Sequence, residues 1–140
     1  MKRLVLPVLA VVVIGGLIAW QSMPGDPHAG HIPAGDALVE VTVPDLTDTA
    51  ERGRKTFEAN CAACHGINAA GVDGAGPPLV HIVYEPNHHG DMSFYMAVRQ
   101  GVRAHHWPFG NMPPVEGVSD TEVATVIAYV RELQRANGIR

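Results

Sequence analysis

The two cysteines of this chain stand three positions apart in Cys61-Ala62-Ala63-Cys64, and His65 follows them directly. A bridge between sulfurs this close encloses almost no chain, so it adds little stability and a structural disulfide is disfavoured. A redox dithiol calls for a βαβ surround, which the flanking sequence lacks. A zinc site calls for further ligands at metal spacing, and there is no second cysteine pair. What remains is attachment of haem c, in which the two thiols add across vinyl groups of one macrocycle and the next residue ligates iron. On a helical turn, residues three apart point to one side, so both sulfurs can meet one edge of the ring while His65 reaches beneath the metal.

The rest of the 140 residues divides around that motif. Lys2 and Arg3 precede an uncharged apolar run over residues 4–20, the layout of a signal peptide or an N-terminal membrane anchor. As a helix the run is about 25 Å long, at the short limit for a bilayer. Without an Ala-x-Ala cleavage site the balance favours a retained anchor, and the two basic residues place the chain beyond Trp20 outside the cytoplasm. Residues 21–44 are rich in Gly, Pro and His and read as a linker, with 38–43 the one stretch able to pack as a short strand or extended arm. A flexible chain of this length spans about 25 to 30 Å. All fourteen acidic residues but only eight of the ten basic ones follow Trp20, a net charge of −6 on the exported part, which argues against a nucleic-acid partner.

Residues 45–140 form the domain. Asp48 and Glu51 suggest a capping box at the start of a first helix, on which Gly53, Phe57 and Cys61 recur every four residues and share a face. Asp91 opens a second helix with Phe94, Tyr95, Val98 and Val102 as its apolar stripe, stopping near Gly101. Ser119 and Glu122 form a capping box for a last helix, whose inner face is Val123, Val126, Ile127 and Val130 and whose end is Asn137-Gly138. Three main helices, two long loops and no convincing sheet predict an all-α fold. Its apolar core is thin, so a large buried cofactor is physically favoured.

With these elements in view, the sequence resembles the class I c-type cytochromes over nearly everything from Asp48 onward. Gly53, Phe57, Cys61, Cys64 and His65 resemble that family's first helix and haem motif, Gly76-Pro77-Pro78-Leu79 its Gly-Pro-x-Leu element, and Ile127-Ala128-Tyr129-Val130 its last helix. The resemblance implies a small cytochrome c fold with long loops wrapped around one covalently bound haem c. It also implies that the Pro77 carbonyl accepts the hydrogen bond of the non-ligating nitrogen of His65, fixing the ring and strengthening it as a donor. Asn111-Met112-Pro113-Pro114 is similar to the family's distal Met-Pro segment, making Met112 the expected sixth ligand and a neighbouring histidine its rival. Met92 and Met96, inside the second helix, read as packing or surface residues, and Met23 in the linker is discounted.

With His65 and Met112 both on iron, the resemblance implies an electron carrier and not an enzyme. Single electrons would pass from a quinol-oxidising complex or dehydrogenase to an oxidase or reductase, on the periplasmic side of the inner membrane, or free in the periplasm if the leader is cut. Alternatives are a haem-bearing subunit of a larger oxidoreductase, a peroxide- or gas-binding haem that has lost its distal ligand, and a haem module with an added copper site. The copper reading rests on two doublets, His88-His89 and His105-His106, that flank the second helix. Adjacent residues on strand-like backbone point opposite ways, so each doublet is expected to offer one ligand, and solvated or propionate-bonding histidines remain the simpler reading.

Overall fold

The computed structural model describes residues 35–140. Four α-helices carry the domain: α1 over Asp48–Asn60, the short α2 over Ala62–His65, α3 over Asp91–Gln100 and α4 over Asp120–Ala136. Single 3₁₀ turns occupy Ile67–Ala69 and Ile82–Tyr84, and the described residues contain no strand. The all-α expectation holds, with the three expected helices as α1, α3 and α4. The segment read as a leader or anchor, residues 1–20, lies outside the described residues, as do Met23, His28 and His31. No helix among the described residues is long and apolar enough to cross a membrane.

The start of α1 differs from the expected capping box. Thr47, not Asp48, is the cap: its hydroxyl accepts from the Ala50 amide at 3.3 Å and donates to Glu132 Oε1 on α4 at 2.7 Å. A hydroxyl can do both at once, whereas a carboxylate only accepts, so threonine serves where helix capping and cross-helix bonding coincide. Asp48 becomes the first helical residue, where its charge suits the helix N-terminus, and Glu51 turns instead to Arg54 at 2.6 Å. The predicted Ser119–Glu122 box is present at α4 with both reciprocal bonds formed.

The helices α1 and α4 cross in close contact. A Cβ at Gly53 would overlap the Thr125 carbonyl oxygen, so the two backbones meet there directly. One turn further on, Phe57 and Tyr129 pack edge to face at 5.6 Å, and Ala50, Val126, Val130 and Leu133 complete the buried seam. The end of the expected linker is not free of the domain. Leu38 and Val39 donate to the Ala70 carbonyl at 3.1 and 3.2 Å, Asp36 accepts from the Asp73 amide at 3.1 Å, and Asn137 clasps Thr42 through both backbone groups. Residues 36–42 are an extended arm without strand pairing that bonds to the helical domain.

A second tie is polar. Arg131 of α4 is almost fully buried and donates to Asp91 Oδ1 at 2.9 Å, the Tyr84 carbonyl at 2.7 Å, the His89 carbonyl at 2.6 Å and Gln134 Oε1 at 2.6 Å. Its guanidinium also lies over the Phe94 ring at 5.1 Å. Gln134 adds bonds to the Leu79 and Tyr84 carbonyls at 2.8 and 3.0 Å. Through these bonds α4 holds the N-terminus of α3 and the irregular 79–90 segment.

Two substitutions test this frame in guanidinium unfolding of the holoprotein. Gly53→Ala gains about 1 kcal/mol of helix propensity, but overpacking that strikes a backbone atom costs about 3 kcal/mol, the upper end of the usual range. A net loss of about 2 kcal/mol is expected, and an unchanged midpoint would contradict the close crossing. Arg131→Ala leaves the half-buried Tyr84 and His89 carbonyls without this donor, and charged hydrogen bonds contribute about 1.5 to 3 kcal/mol each, so a loss of about 3 kcal/mol is expected.

Candidate haem-binding site

α1 delivers the cysteine motif from the far end of the Gly53 crossing. The Cys61 amide still bonds the Phe57 carbonyl at 2.8 Å, but the backbone of Cys61 leaves helical geometry, and α2 starts again from its carbonyl. The Cys64 and His65 amides both return to Cys61 O, at 3.1 and 2.9 Å, so the two cysteines and the histidine sit on one tight turn. Cys61 is half-buried against the core and Cys64 is exposed.

The electrostatics separate the readings of this pair. Burial, with a smaller push from Cys64, raises the Cys61 thiol to about 11. A nucleophilic dithiol needs the opposite shift, so the thioredoxin-like reading fails on electrostatics as well as on fold. Among the described residues neither cysteine belongs to a cluster of three ligating side chains.

His65 is held from behind. Its Nδ1 lies 2.9 Å from the Pro77 carbonyl, which can only accept, so Nδ1 carries the proton and Nε2 keeps its lone pair. Burial lowers the imidazole's proton affinity, and the Pro77 bond restores part of it, leaving a neutral ring suited to metal ligation. Pro77 reaches the ring because Val72 and Gly76 close a small loop by paired backbone bonds at 3.0 and 3.1 Å. A Cβ at Gly76 would come within 2.6 Å of the Cys64 carbonyl oxygen, so glycine is required where this loop approaches the motif.

Met112 is fixed through its backbone. It exchanges both amide bonds with Val102 at 2.9 Å, and Asn111 Oδ1 accepts from the Ala104 amide at 2.9 Å, closing the 102–112 loop at its neck. Pro113 and Pro114 follow it, and the side chain is half-buried. Met92 and Met96 are 66% and 43% exposed on α3, as expected for surface residues. His105 and His106, rivals for the distal position, turn instead towards His88 and His89.

The residues present fit a haem. A cysteine pair on one turn and a neutral imidazole with its outer nitrogen anchored are the donor types that a covalently attached iron porphyrin takes, and the thioether of Met112 stands on a pinned loop. The Trp107 indole N–H is buried beside the Tyr84 hydroxyl without a well-directed hydrogen bond to it, which leaves it able to donate to an acidic group of a bound cofactor. Trp107 packs edge to face on His81 at 5.0 Å and stacks on Phe109.

Sequence reasoning overlooked His81 and Arg131. His81 accepts from the Val83 amide at 3.2 Å and starts the Ile82–Tyr84 turn, a role with no periodic signature. Arg131 had one signal, since with Gln134 it extends the buried stripe of α4 with polar groups three residues apart.

Comparison with known proteins agrees with this construction. The cytochrome c family model matches residues 50–134. A relative described as cytochrome c-553-like, from a Synechocystis species, is 56% identical over 34 residues, 24% of this chain and 30% of that protein's length. The chain therefore spans less than a third of that curated relative in the match. The family model covers more than half of the chain, and that extent, together with the Cys61, Cys64 and His65 spacing, shows that the chain belongs to the cytochrome c family, whose cofactor is covalently attached haem c.

Proposed function

We propose that this chain is a monohaem electron carrier in which Cys61 and Cys64 hold the haem covalently, His65 Nε2 and the Met112 sulfur occupy the two axial positions, and single electrons pass between membrane or periplasmic redox partners. The observation that carries the reading is the pair of rigid supports behind the ligands: the 2.9 Å bond from His65 Nδ1 to Pro77, and the two 2.9 Å bonds that fix Met112 to Val102.

When bound, the haem supplies one-electron iron chemistry. The protein's part is to keep both side-chain ligands in place through the change of charge. With His65 and Met112 both holding the iron, no position would be left for a substrate, which would favour outer-sphere transfer over peroxide or gas chemistry. A thioether distal ligand raises the potential relative to paired histidines, which suits the oxidising end of a respiratory chain. A quinol-oxidising complex or dehydrogenase as donor and an oxidase or reductase as acceptor fit that potential. Exposed apolar side chains such as Ile82 and Met92 suit small, short-lived contacts with them. The basic start and apolar run of residues 1–20 support export, with the domain tethered on the periplasmic side of the inner membrane or released there after cleavage.

Absorption spectra of protein produced in a host competent in cytochrome maturation test the ligands. Met112→Ala is expected to abolish the weak far-red thioether-to-ferric band while leaving the haem attached, and a retained band would move the ligand elsewhere. The double variant Cys61→Ala and Cys64→Ala is expected to carry no haem stain on a denaturing gel. Persistent stain would contradict thioether attachment.

A further inference from the structure

Four of the five described histidines outside the haem motif, His88, His89, His105 and His106, converge at one place. α3 separates the doublets by ten residues, about 15 Å of helix, and residues 102–106 run back over a comparable length when extended. The return brings His88 Nε2 to 3.4 Å from His106 Nε2. The ring centroids of His89 and His106 are 5.3 Å apart, and those of His105 and His106 4.2 Å.

The expectation of one ligand per doublet does not hold for the first pair. His88 and His89 lie on a turn, with both amides bonded to the Glu85 carbonyl at 3.0 and 2.8 Å, and not on extended backbone. Their rings therefore point to the same region, 4.6 Å apart, rather than to opposite faces. One potential ligand atom from each of His88, His89 and His106 lies within 4.8 Å of the others.

We propose that His88, His89 and His106 form a binding site for one divalent transition-metal ion of the zinc and copper class, with His105 alongside. This site uses neither His65 nor Met112, and so rests on the proposed ligation in leaving His106 free of the iron. Two nitrogens bound tetrahedrally to one ion at 2.0 to 2.1 Å are about 3.3 Å apart, which is close to the spacing of His88 and His106. Imidazole nitrogens select zinc and copper over the oxygen-seeking magnesium and calcium.

The supports behind the rings are those of a metal site. His89 Nδ1 is held by the Val83 carbonyl at 2.6 Å, which leaves Nε2 unprotonated and aimed by a backbone acceptor. His105 Nδ1 is likewise bonded to the Arg103 carbonyl at 2.8 Å. The His89 backbone is fixed by Arg131, and the loop bearing His106 is closed by Asn111. A bound ion would clip the 85–90 turn to the loop that ends in Met112, stabilising the region around the distal ligand.

Calorimetric titration of the full-length holoprotein with zinc chloride tests the site. One equivalent is expected, with no comparable uptake of magnesium, and the melting temperature should rise with zinc. In His88→Ala/His106→Ala, where both altered side chains are exposed, the affinity should fall at least tenfold and the melting shift should vanish while the haem spectrum is unchanged. His28→Ala/His31→Ala should bind as the parent does. Independently of any variant, copper(II) added at one equivalent to the parent protein should show electron-spin couplings to several nitrogens. Absence of stoichiometric zinc uptake, binding unchanged in the first double variant, binding lost in the second, or copper without nitrogen coupling would each overturn the proposal.

Discussion

The close crossing of α1 and α4 at Gly53 sets the geometry of everything else in this domain. With no side chain at Gly53, the helices approach until Phe57 and Tyr129 interlock, and the end of α1 is thereby aimed. That end is Cys61. The two sulfurs and the imidazole are consequently positioned by the best-packed part of the molecule, although α2, which carries Cys64 and His65, is only four residues long.

From the crossing outward, order passes through polar bonds more than through apolar burial. Tyr129 donates from the seam to Asn68 Oδ1 at 3.2 Å, tying α4 to the segment after His65. Arg131 and Gln134 satisfy the carbonyls of an irregular stretch that has too few apolar side chains to pack itself. Such an arrangement suits a domain in which much of the remaining interior belongs to a cofactor, because backbone carbonyls fixed by side-chain donors hold a loop in place without a large core behind it.

Helix positions were legible because apolar spacing and caps are local signals. Phe94, Tyr95 and Val98 fall on α3, Val123 to Val130 fall on α4, and the Ser119 box stands where the sequence implied it. Thr47 was not legible as the cap of α1, because its advantage over Asp48 lies in a bond to Glu132, 85 residues away. The Pro77 bond to His65 came from family resemblance, since no local rule links a proline to a histidine twelve residues earlier. Arg131 was hidden because a cation on a helix ordinarily reads as solvated. The histidine doublets were visible as candidates, but their grouping depends on a turn at Glu85 and on the return of residues 102–106, both of which are tertiary facts.

The account stands on a haem gripped by His65 and Met112, and proton nuclear magnetic resonance of the reduced protein examines that grip at atomic resolution. A methionine bound to ferrous iron lies over the porphyrin face, where the ring current drives its methyl signal far upfield of all other protons. The account predicts one such methyl, assigned to Met112. A spectrum with no strongly upfield methyl, or one assigned to Met92 or Met96, would contradict it.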